Sequence, residues 1–383
     1  MNSVLDDALE RLRGMGPEAR HGAPNHGPMA AEALVALGCL DEVPRWVDDY
    51  RGELDPMPAA RSPVTEETWH EALGVVHRVG DWQTFFVARL AEAPWQAVFG
   101  QWMPRLIPGL MAGGTHGLIR AAHAVRALSE TATPLRVEEL ASALAYWAAY
   151  YQTLPAVPRL QGPLDLDQAI EQVPRIGRQQ ENQARREGVP RDFVRVLAKY
   201  PDFSEAVNRF GTRETVDTSL SRLVEAGARL YCANASTHPL VFIHAITGPA
   251  AVRLLLPHMP VALHKRAFAY SWQSIAAWVA AYGSDSPGAP DDSAPRSESE
   301  IIGRALGTRD HHAIKLAEAC LREYRLNPQP VFLRAALDWP LRLLTSSHWS
   351  VAERVTAGIA IGWDPIRRSA VATNPRPSPS EEP

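Results

Sequence analysis

Apolar residues recur every three or four positions along most of the chain, which is the spacing of amphipathic helices. The alternation of apolar and polar residues that marks half-buried strands is rare. Two short apolar runs, at residues 75–79 and 239–246, could form strands instead, but no hairpin turn flanks them. The pattern therefore predicts an all-α fold. The predicted helices span residues 5–15, 29–40, 69–80, 81–93, 115–130, 137–154, 220–235 and 265–283.

Proline and glycine mark the expected ends of these helices. Pro28 suits the first turn of one helix, and Gly38 suits its end. The 32 prolines are spread along the chain, which predicts proline-rich connections between helices. Residues 1–370 are predicted to form one compact multi-helix domain, with a division into two domains near residues 283–300 as the alternative. That segment, rich in serine, proline and aspartate, is predicted to be a mobile loop, and residues 371–383 a disordered tail.

Composition and charge exclude several classes of protein. The net charge of -4 provides no basic surface for nucleic acid. We find no run of about 18 apolar residues that would predict a membrane span, and the acidic N-terminus does not resemble a secretory signal. The three cysteines, Cys39, Cys232 and Cys320, are far apart and form no metal-binding motif. We therefore expect a cytoplasmic protein with free thiols that binds neither nucleic acid nor membranes.

Several of the 13 histidines lie in apolar helical surroundings. His26 precedes a predicted helix, where a polar cap and a metal ligand are both possible roles. His116 and His123 share one helical face but lie about 10 Å apart along its axis, so one is expected to bind a metal, and the other either to support a metal ligand or to face a substrate. His244 is embedded in an apolar run and needs a hydrogen-bond partner or a metal if it is buried. A satisfied core histidine is the alternative for His244.

The stretch DHHAIKLAEAC, residues 310–320, places His312 and Lys315 on one face of a predicted helix. A buried, charged lysine is costly without a partner, and Glu318 could supply one. The alternative is a desolvated, neutral amine that reacts with carbon dioxide. The resulting carbamate would offer an oxygen ligand to a metal beside His312.

Common catalytic and nucleotide-binding motifs give no competing interpretation. The sequence has no G-x-S-x-G, P-loop, H-E-x-x-H or C-x-x-C motif. No predicted strand leads through G-x-G-x-x-G into a helix, so a Rossmann-type dinucleotide site has no support.

Four segments in order resemble the conserved segments of the questin oxidase-like family. The resemblance includes an Asn-His segment that runs into an apolar helix and a central His-Gly…Arg…His helix. It also includes a His-Ala-x-Thr-Gly segment and an Asp-x-His-x-x-Lys helix. The segments are NHGPMAAEALVALG (25–38), THGLIRAAHAVRAL (115–128), FIHAITGPAAVRLLLPHM (242–259) and DHHAIKLAEAC (310–320).

The resemblance implies an enzyme of aromatic polyketide metabolism. Family members act on polyketide-derived aromatic compounds, typically anthraquinones, insert oxygen and open a ring, and some are described as NADPH-dependent Baeyer–Villiger-type oxidases. The resemblance also implies a mononuclear non-heme Fe(II) site of histidines and a carboxylated lysine. Asn25 and His123 are the candidate catalytic residues. The implied metal ligands are His26, His116, His244, His312 and Lys315.

Three departures leave parts of this assignment open. Fungal members often continue the Asn-His segment with two more histidines, where this chain has Met29 and Ala30. The two histidines of the central helix could exchange roles. His311 lies beside His312, although the helical spacing to the lysine favours His312.

The expected reaction joins O2 to an electron-rich aromatic substrate at the metal. The candidates for a stacking pocket, which are alternatively ordinary core residues, are Trp147, Tyr150, Tyr270, Trp272 and Trp278. Two other functions compete with this one. One is an NADPH-dependent monooxygenase without a catalytic metal, and the other is a non-catalytic helical protein that binds a bulky aromatic ligand. No pattern indicates an oligomeric state.

Overall fold

Helices make up most of the structure, a computed structural model that describes residues 3–20, 22–176, 196–284 and 297–345. The strands β1 (Met15–Ala19) and β2 (Leu54–Pro56) pair antiparallel. The all-α prediction is confirmed. The helices are α1 (Val4–Leu12), α2 (Gly27–Ala36), α3 (Val43–Arg51), α4 (Trp69–Ala72), α5 (Val79–Glu92), α6 (Trp95–Leu106), α7 (His116–Glu130), α8 (Pro134–Ala149), α9 (Leu166–Glu171), α10 (Pro201–Arg209), α11 (Val216–Asn234), α12 (Pro239–Leu255), α13 (His264–Tyr282), α14 (Glu298–Thr308), α15 (His311–Leu326) and α16 (Pro330–Thr345).

The first three helices pack around a small apolar cluster, to which both strands, α7 and α15 contribute one residue each. Ser3 caps α1, because its Oγ accepts a hydrogen bond from the backbone N–H of Asp6 at 3.2 Å. α2 begins directly after the buried His26 and has Pro28 in its first turn. It ends before Gly38, whose φ of 78° is the left-handed conformation that terminates many helices. Pro28 and Gly38 thus mark the two ends of α2 as predicted, although the span predicted from periodicity, residues 29–40, extended past Gly38.

The central helix α12 is apolar on all sides and is buried along nearly its whole length. It packs against α7, α11, α13 and α15. Gly227 lets α11 approach it closely, since a methyl group there would lie 2.1 Å from the backbone oxygen of Ala245. Within the described ranges, Pro239–His258 is the one segment long and apolar enough to cross a membrane, and 89% of its apolar window is buried inside the protein.

Two local predictions are wrong. The predicted helix over residues 69–80 is helical at Trp69–Ala72, and a short 3-10 turn follows at Val76–Arg78. Gly74 lies between them with a φ of 74°, which interrupts the helical backbone. The apolar run at residues 239–246 is helical, so the strand alternative fails there as well.

The predicted loop over residues 283–300 ends earlier than expected. Ser297 caps α14, because its Oγ accepts a hydrogen bond from the backbone N–H of Glu300 at 3.1 Å. Residues 298–300 are therefore helical. Residues 285–296, the predicted tail at 371–383 and the domain boundary at residue 370 lie outside the described residues.

Candidate metal centre

Four histidines from four helices surround a common point. His26 precedes α2, His116 opens α7, His244 lies in the middle of α12 and His312 lies in the first turn of α15. Neighbouring ring centroids are 4.8 Å apart for His26 and His116, and 4.6 Å apart for His116 and His244. The ring centroids of His244 and His312 are 5.8 Å apart, and those of His312 and His26 are 4.7 Å apart, so the four side chains form a closed circle. We call this set of four residues the histidine ring, as distinct from the aromatic ring of any one histidine.

The nitrogen atoms of these histidines and of His311 form two overlapping groups of three, and each group is spaced for a single ion. One ligating nitrogen from each of His116, His244 and His312 lies within 4.8 Å of the others. Ligands on opposite sides of an ion with bonds of about 2.1 Å lie about 4.2 Å apart. His26, His311 and His312 meet the same criterion, and the His311 ring stacks on His26 at 4.0 Å. Either group of three nitrogens could therefore hold an ion, and His312 belongs to both groups.

The hydrogen bonds of His116 and His244 set the ring tautomers. His116 Nδ1 lies 2.6 Å from the backbone oxygen of Gly113, and His244 Nδ1 lies 2.8 Å from that of Leu240. A carbonyl oxygen only accepts, so each Nδ1 carries the proton and donates. In a neutral imidazole the Nε2 atom then carries a lone pair. Backbone carbonyls orient metal-ligating histidines in this way in many proteins.

The two Nε2 atoms face each other at 3.1 Å. A proton between them would require one ring to be a cation. Burial is the main reason that the pKa of His244 falls to about 3 and that the pKa of His116 falls well below its ordinary value. Both rings are therefore neutral, and two lone pairs point into the same small space. Two imidazole lone pairs arranged in this way could hold a metal ion.

The turn before α7 explains the position of His116. Gly113, Gly114 and Thr115 all have positive φ values, of 55°, 66° and 73°. This left-handed turn points the Gly113 carbonyl at the imidazole of His116, the first residue of α7. A side chain on Gly113 would also collide with Tyr146, whose Oη would lie 2.3 Å from the added methyl group. Glycine is thus required there on two counts.

Lys315 reaches into the same interior from α15. Its side chain is 2% exposed, and its Nζ lies 2.6 Å from Nδ1 of His26. Burial lowers the pKa of Lys315 to about 7, while Asp310 acts in the opposite direction. A lysine with that pKa is largely neutral just above neutral pH. The predicted pair with Glu318 is wrong, because that carboxylate is bound by Arg126 and Arg322 instead.

The candidate catalytic residues, Asn25 and His123, both make hydrogen bonds to residues outside the histidine ring. Asn25 holds the chain as it enters α2, with Nδ2 donating to the Gly16 oxygen at 2.8 Å and Oδ1 accepting from the Gly27 N–H at 2.9 Å. His123 lies two turns beyond His116, and its Nδ1 is 2.5 Å from Oε2 of Glu32. The structure therefore brings His116, and not His123, into the histidine ring.

The five pocket candidates are all buried. Trp147 donates its Nε1–H to the Gly109 oxygen and Trp272 donates to the Val207 oxygen, both at 3.0 Å. The ring of Tyr150 stacks on Tyr146 with centroids 4.2 Å apart. Trp278 is the candidate whose ring lies beside the histidine ring, 6.3 Å from His244. Tyr270 belongs to α13, the helix that carries both Trp272 and Trp278.

Three residues around the histidine ring carry no signal in the sequence. The Tyr50 hydroxyl accepts a hydrogen bond from the backbone N–H of His26 at 2.8 Å. Thr115 Oγ1 and Tyr146 Oη, which flank the turn into His116, are buried with no hydrogen-bond partner among the described residues. Buried hydroxyls are normally paired, so these two atoms are available to a water molecule or a ligand. Thr115 is adjacent to His116 in the sequence, whereas only the folded chain brings Tyr146 near the same turn.

Comparison with protein families bears on the same residues. The family model described as Questin oxidase-like matches residues 24–320, which make up more than three quarters of the chain. The matched range contains the whole histidine ring and Lys315. A search of curated proteins finds no match.

Proposed function

Because the chain belongs to the questin oxidase-like family, and is thereby an oxidoreductase, we propose that it is a non-heme iron oxygenase. We propose further that it inserts oxygen into an anthraquinone-like aromatic polyketide and opens one of its rings. The facing Nε2 atoms of His116 and His244, 3.1 Å apart with both Nδ1 atoms engaged, are the observation that carries the proposal.

The proposed ligands are the histidine ring and a carboxylated Lys315. Imidazole and carboxylate-type oxygen donors together suit Fe(II). With a coordination position open, Fe(II) would supply the electrons that activate O2. Four neutral imidazoles leave the two positive charges of the ion unbalanced in a buried site, and a carbamate would offset one of them.

The surroundings of Lys315 support the proposed carboxylation. Its amine contacts an imidazole of His26, and burial lowers its pKa to about 7, so a neutral lone pair is available. That lone pair forms a carbon–nitrogen bond with CO2, and the nitrogen releases one proton. The product carries one negative charge and two oxygen acceptors. A buried site that rejects an ammonium ion is thereby converted into one that holds a cation.

The substrate side of the proposal rests on the groups next to the histidine ring. Trp278 offers an aromatic face beside His244. Thr115 Oγ1 and Tyr146 Oη are buried hydroxyls that a quinone or phenol oxygen could satisfy. The surrounding residues are buried and apolar, which keeps bulk water from the reacting groups.

Oxygen consumption with a panel of hydroxylated anthraquinones tests this function. We expect the iron-loaded protein to consume O2 only with substrate and to yield a ring-opened product that has gained oxygen. His312→Ala should abolish turnover, whereas His70→Ala, at an exposed position, should not. Turnover that requires NADPH and survives iron removal would favour the metal-independent monooxygenase. Equal anthraquinone binding by wild type and His312→Ala without any turnover would favour the binding protein.

A further inference from the structure

A second cluster of polar side chains, in which buried carboxylates meet half-buried arginines, lies two helical turns from the histidine ring. It contains three carboxylates, three guanidinium groups and one imidazole, so its charges balance when the imidazole is neutral. We call it the buried charge network. Its members are Glu32, Glu318, Glu323, Arg126, Arg253, Arg322 and His123.

Arg126 is the centre of the buried charge network. From α7, its Nε donates to Oε1 of Glu32 at 2.6 Å, and one terminal nitrogen donates to the other oxygen of the same carboxylate. His123 contacts that carboxylate from one turn earlier. The remaining terminal nitrogen of Arg126 donates to Glu318 of α15. One planar side chain of α7 therefore fixes both α2 and α15.

The buried charge network continues from α15 into α12. Arg322 donates its Nε–H to Glu318 at 2.9 Å and its Nη1–H to Glu323 at 2.8 Å. The same Nη1 donates to the backbone oxygen of Ala250 in α12 at 3.2 Å. Arg253, also in α12, donates its Nε–H to Glu323 at 3.0 Å. The buried charge network thus joins α2, α7, α12 and α15, the four helices that position the histidine ring.

The spacing along the helices is nearly constant. Six or seven residues after each histidine of the histidine ring there is a residue that takes part in the buried charge network, through its side chain or through its backbone carbonyl. At 1.5 Å per residue this offset is about 9–10 Å along a helix. The pairs are His26 with Glu32, His116 with His123, His244 with Ala250, and His312 with Glu318.

Two of the three carboxylates are held ionised by their partners. Burial alone would raise the pKa of Glu32 and of Glu318, but Arg126 lowers the pKa of Glu32, and Arg322 followed by Arg126 lowers that of Glu318, below the ordinary value. For Glu323, burial outweighs Arg322 and Arg253, and its pKa is raised. Burial alone would lower the pKa of Arg126, and the two carboxylates raise it instead. An apolar core could hold the helices together without this desolvation cost. Directional, bidentate contacts add a defined register between helices, which apolar packing specifies less strictly.

We infer that the buried charge network positions the metal ligands, with Arg126 as the principal positioning residue. Through Glu32 and Glu318 it sets where α2 and α15 lie relative to α7, and so where His26 and His312 lie relative to His116. The inference rests on the proposed function, because it assumes that the histidine ring binds a metal. It also gives His123 a role as a partner of Glu32 that needs no contact with substrate.

Cobalt(II) bound to the full-length protein is a suitable probe, since its visible spectrum reports the arrangement of the ligands. Arg126→Lys retains the charge and loses the bidentate geometry, and Glu32→Gln retains the shape and loses the charge. Asp6→Asn is the matched control. It breaks another buried pair, with Arg136, that joins α1 to α8, neither of which carries a ring histidine.

We expect both network variants to shift the cobalt spectrum and to weaken cobalt binding by about tenfold or more, as loss of outer-shell contacts typically does. Asp6→Asn should lower the melting temperature and leave the spectrum and the affinity unchanged. If Arg126→Lys and Glu32→Gln are destabilised like Asp6→Asn but keep the wild-type spectrum and affinity, the network only stabilises the fold and the inference is wrong. Failure of the wild-type protein to bind cobalt would instead overturn the proposed function and the inference with it.

Discussion

The Nε2 atoms of His116 and His244 lie 3.1 Å apart although the two residues are 128 positions apart in the sequence. The left-handed turn before α7 and the buried helix α12 produce this contact. In each ring a backbone carbonyl accepts the proton of Nδ1 and leaves the lone pair of Nε2 facing inward. The backbone therefore prepares two ligands before any ion arrives, which reduces the reorganisation that binding requires.

Substitution of Gly113 tests the turn that holds His116. Gly113→Ala combines a φ of 55° with a collision against Tyr146 Oη, so we expect a loss of roughly 1–3 kcal/mol of unfolding free energy. The displaced carbonyl should also weaken metal binding. Gly303→Ala, inside α14 with open space around it, should instead stabilise the protein by up to about 1 kcal/mol. Urea denaturation measures both variants, and equal stability of the two would contradict the explanation.

Asp81 should make the stability of the protein depend on pH. Burial alone would raise its pKa, but the backbone N–H of Ser62, the Arg78 guanidinium and the N–H of Arg61 lower it below the ordinary value. Because the folded-state pKa is the lower one, Asp81 stabilises the fold above about pH 4, and this contribution is lost as the pH falls through the folded-state pKa.

The corresponding variant is Asp81→Asn. Its deficit in unfolding free energy relative to wild type should be largest at neutral pH and should shrink in acid. Asp41→Asn, at an exposed position, should stay within about 0.5 kcal/mol of wild type. Denaturation curves at a series of pH values provide the measurement. A deficit for Asp81→Asn that stays constant from neutral to acidic pH would show that charge is not the cause.

Lys315 is predicted to act as an oxygen ligand after carboxylation. Added bicarbonate should therefore raise the iron affinity of the wild-type protein, and isotope-labelled bicarbonate should give a carbamate signal in carbon NMR. Lys315→Ala should bind iron at least about 10–100-fold more weakly, since the loss of an outer-shell partner already has that effect. Acetate, a small carboxylate that fits the vacated space, should restore part of the affinity. Wild-type affinity in Lys315→Ala without acetate would exclude the carbamate as a ligand.

The helical pattern was sufficient to predict the fold class but not every helix. Residues 69–80 have helical spacing, yet Gly74 takes a φ of 74° and α4 stops at Ala72. Periodicity also left residues 239–246 ambiguous, because a fully buried helix and a buried strand are both continuous apolar runs. The packing of α12 among four other helices resolves the ambiguity, and such contacts are not encoded in local spacing.

The candidate site was predictable to a similar extent. Helical spacing correctly placed His312 and Lys315 on one face, and both meet His26 in the structure. The same rule suggested Glu318 as the partner of Lys315, but Arg126 occupies that carboxylate from a helix 192 positions away in the sequence. His116 and His123 likewise share a face, but their partners differ. His116 meets His244 in the histidine ring, and His123 meets Glu32 in the buried charge network.

Metal analysis of the purified protein by inductively coupled plasma mass spectrometry tests the central claim most directly. The account predicts near-stoichiometric iron in the wild type, retained in the control His70→Ala and lost in His244→Ala. Circular dichroism should confirm that the last variant is folded. Wild-type protein that carries no metal after anaerobic reconstitution with Fe(II), or His244→Ala that binds as much iron as wild type, would contradict a metal centre at the histidine ring.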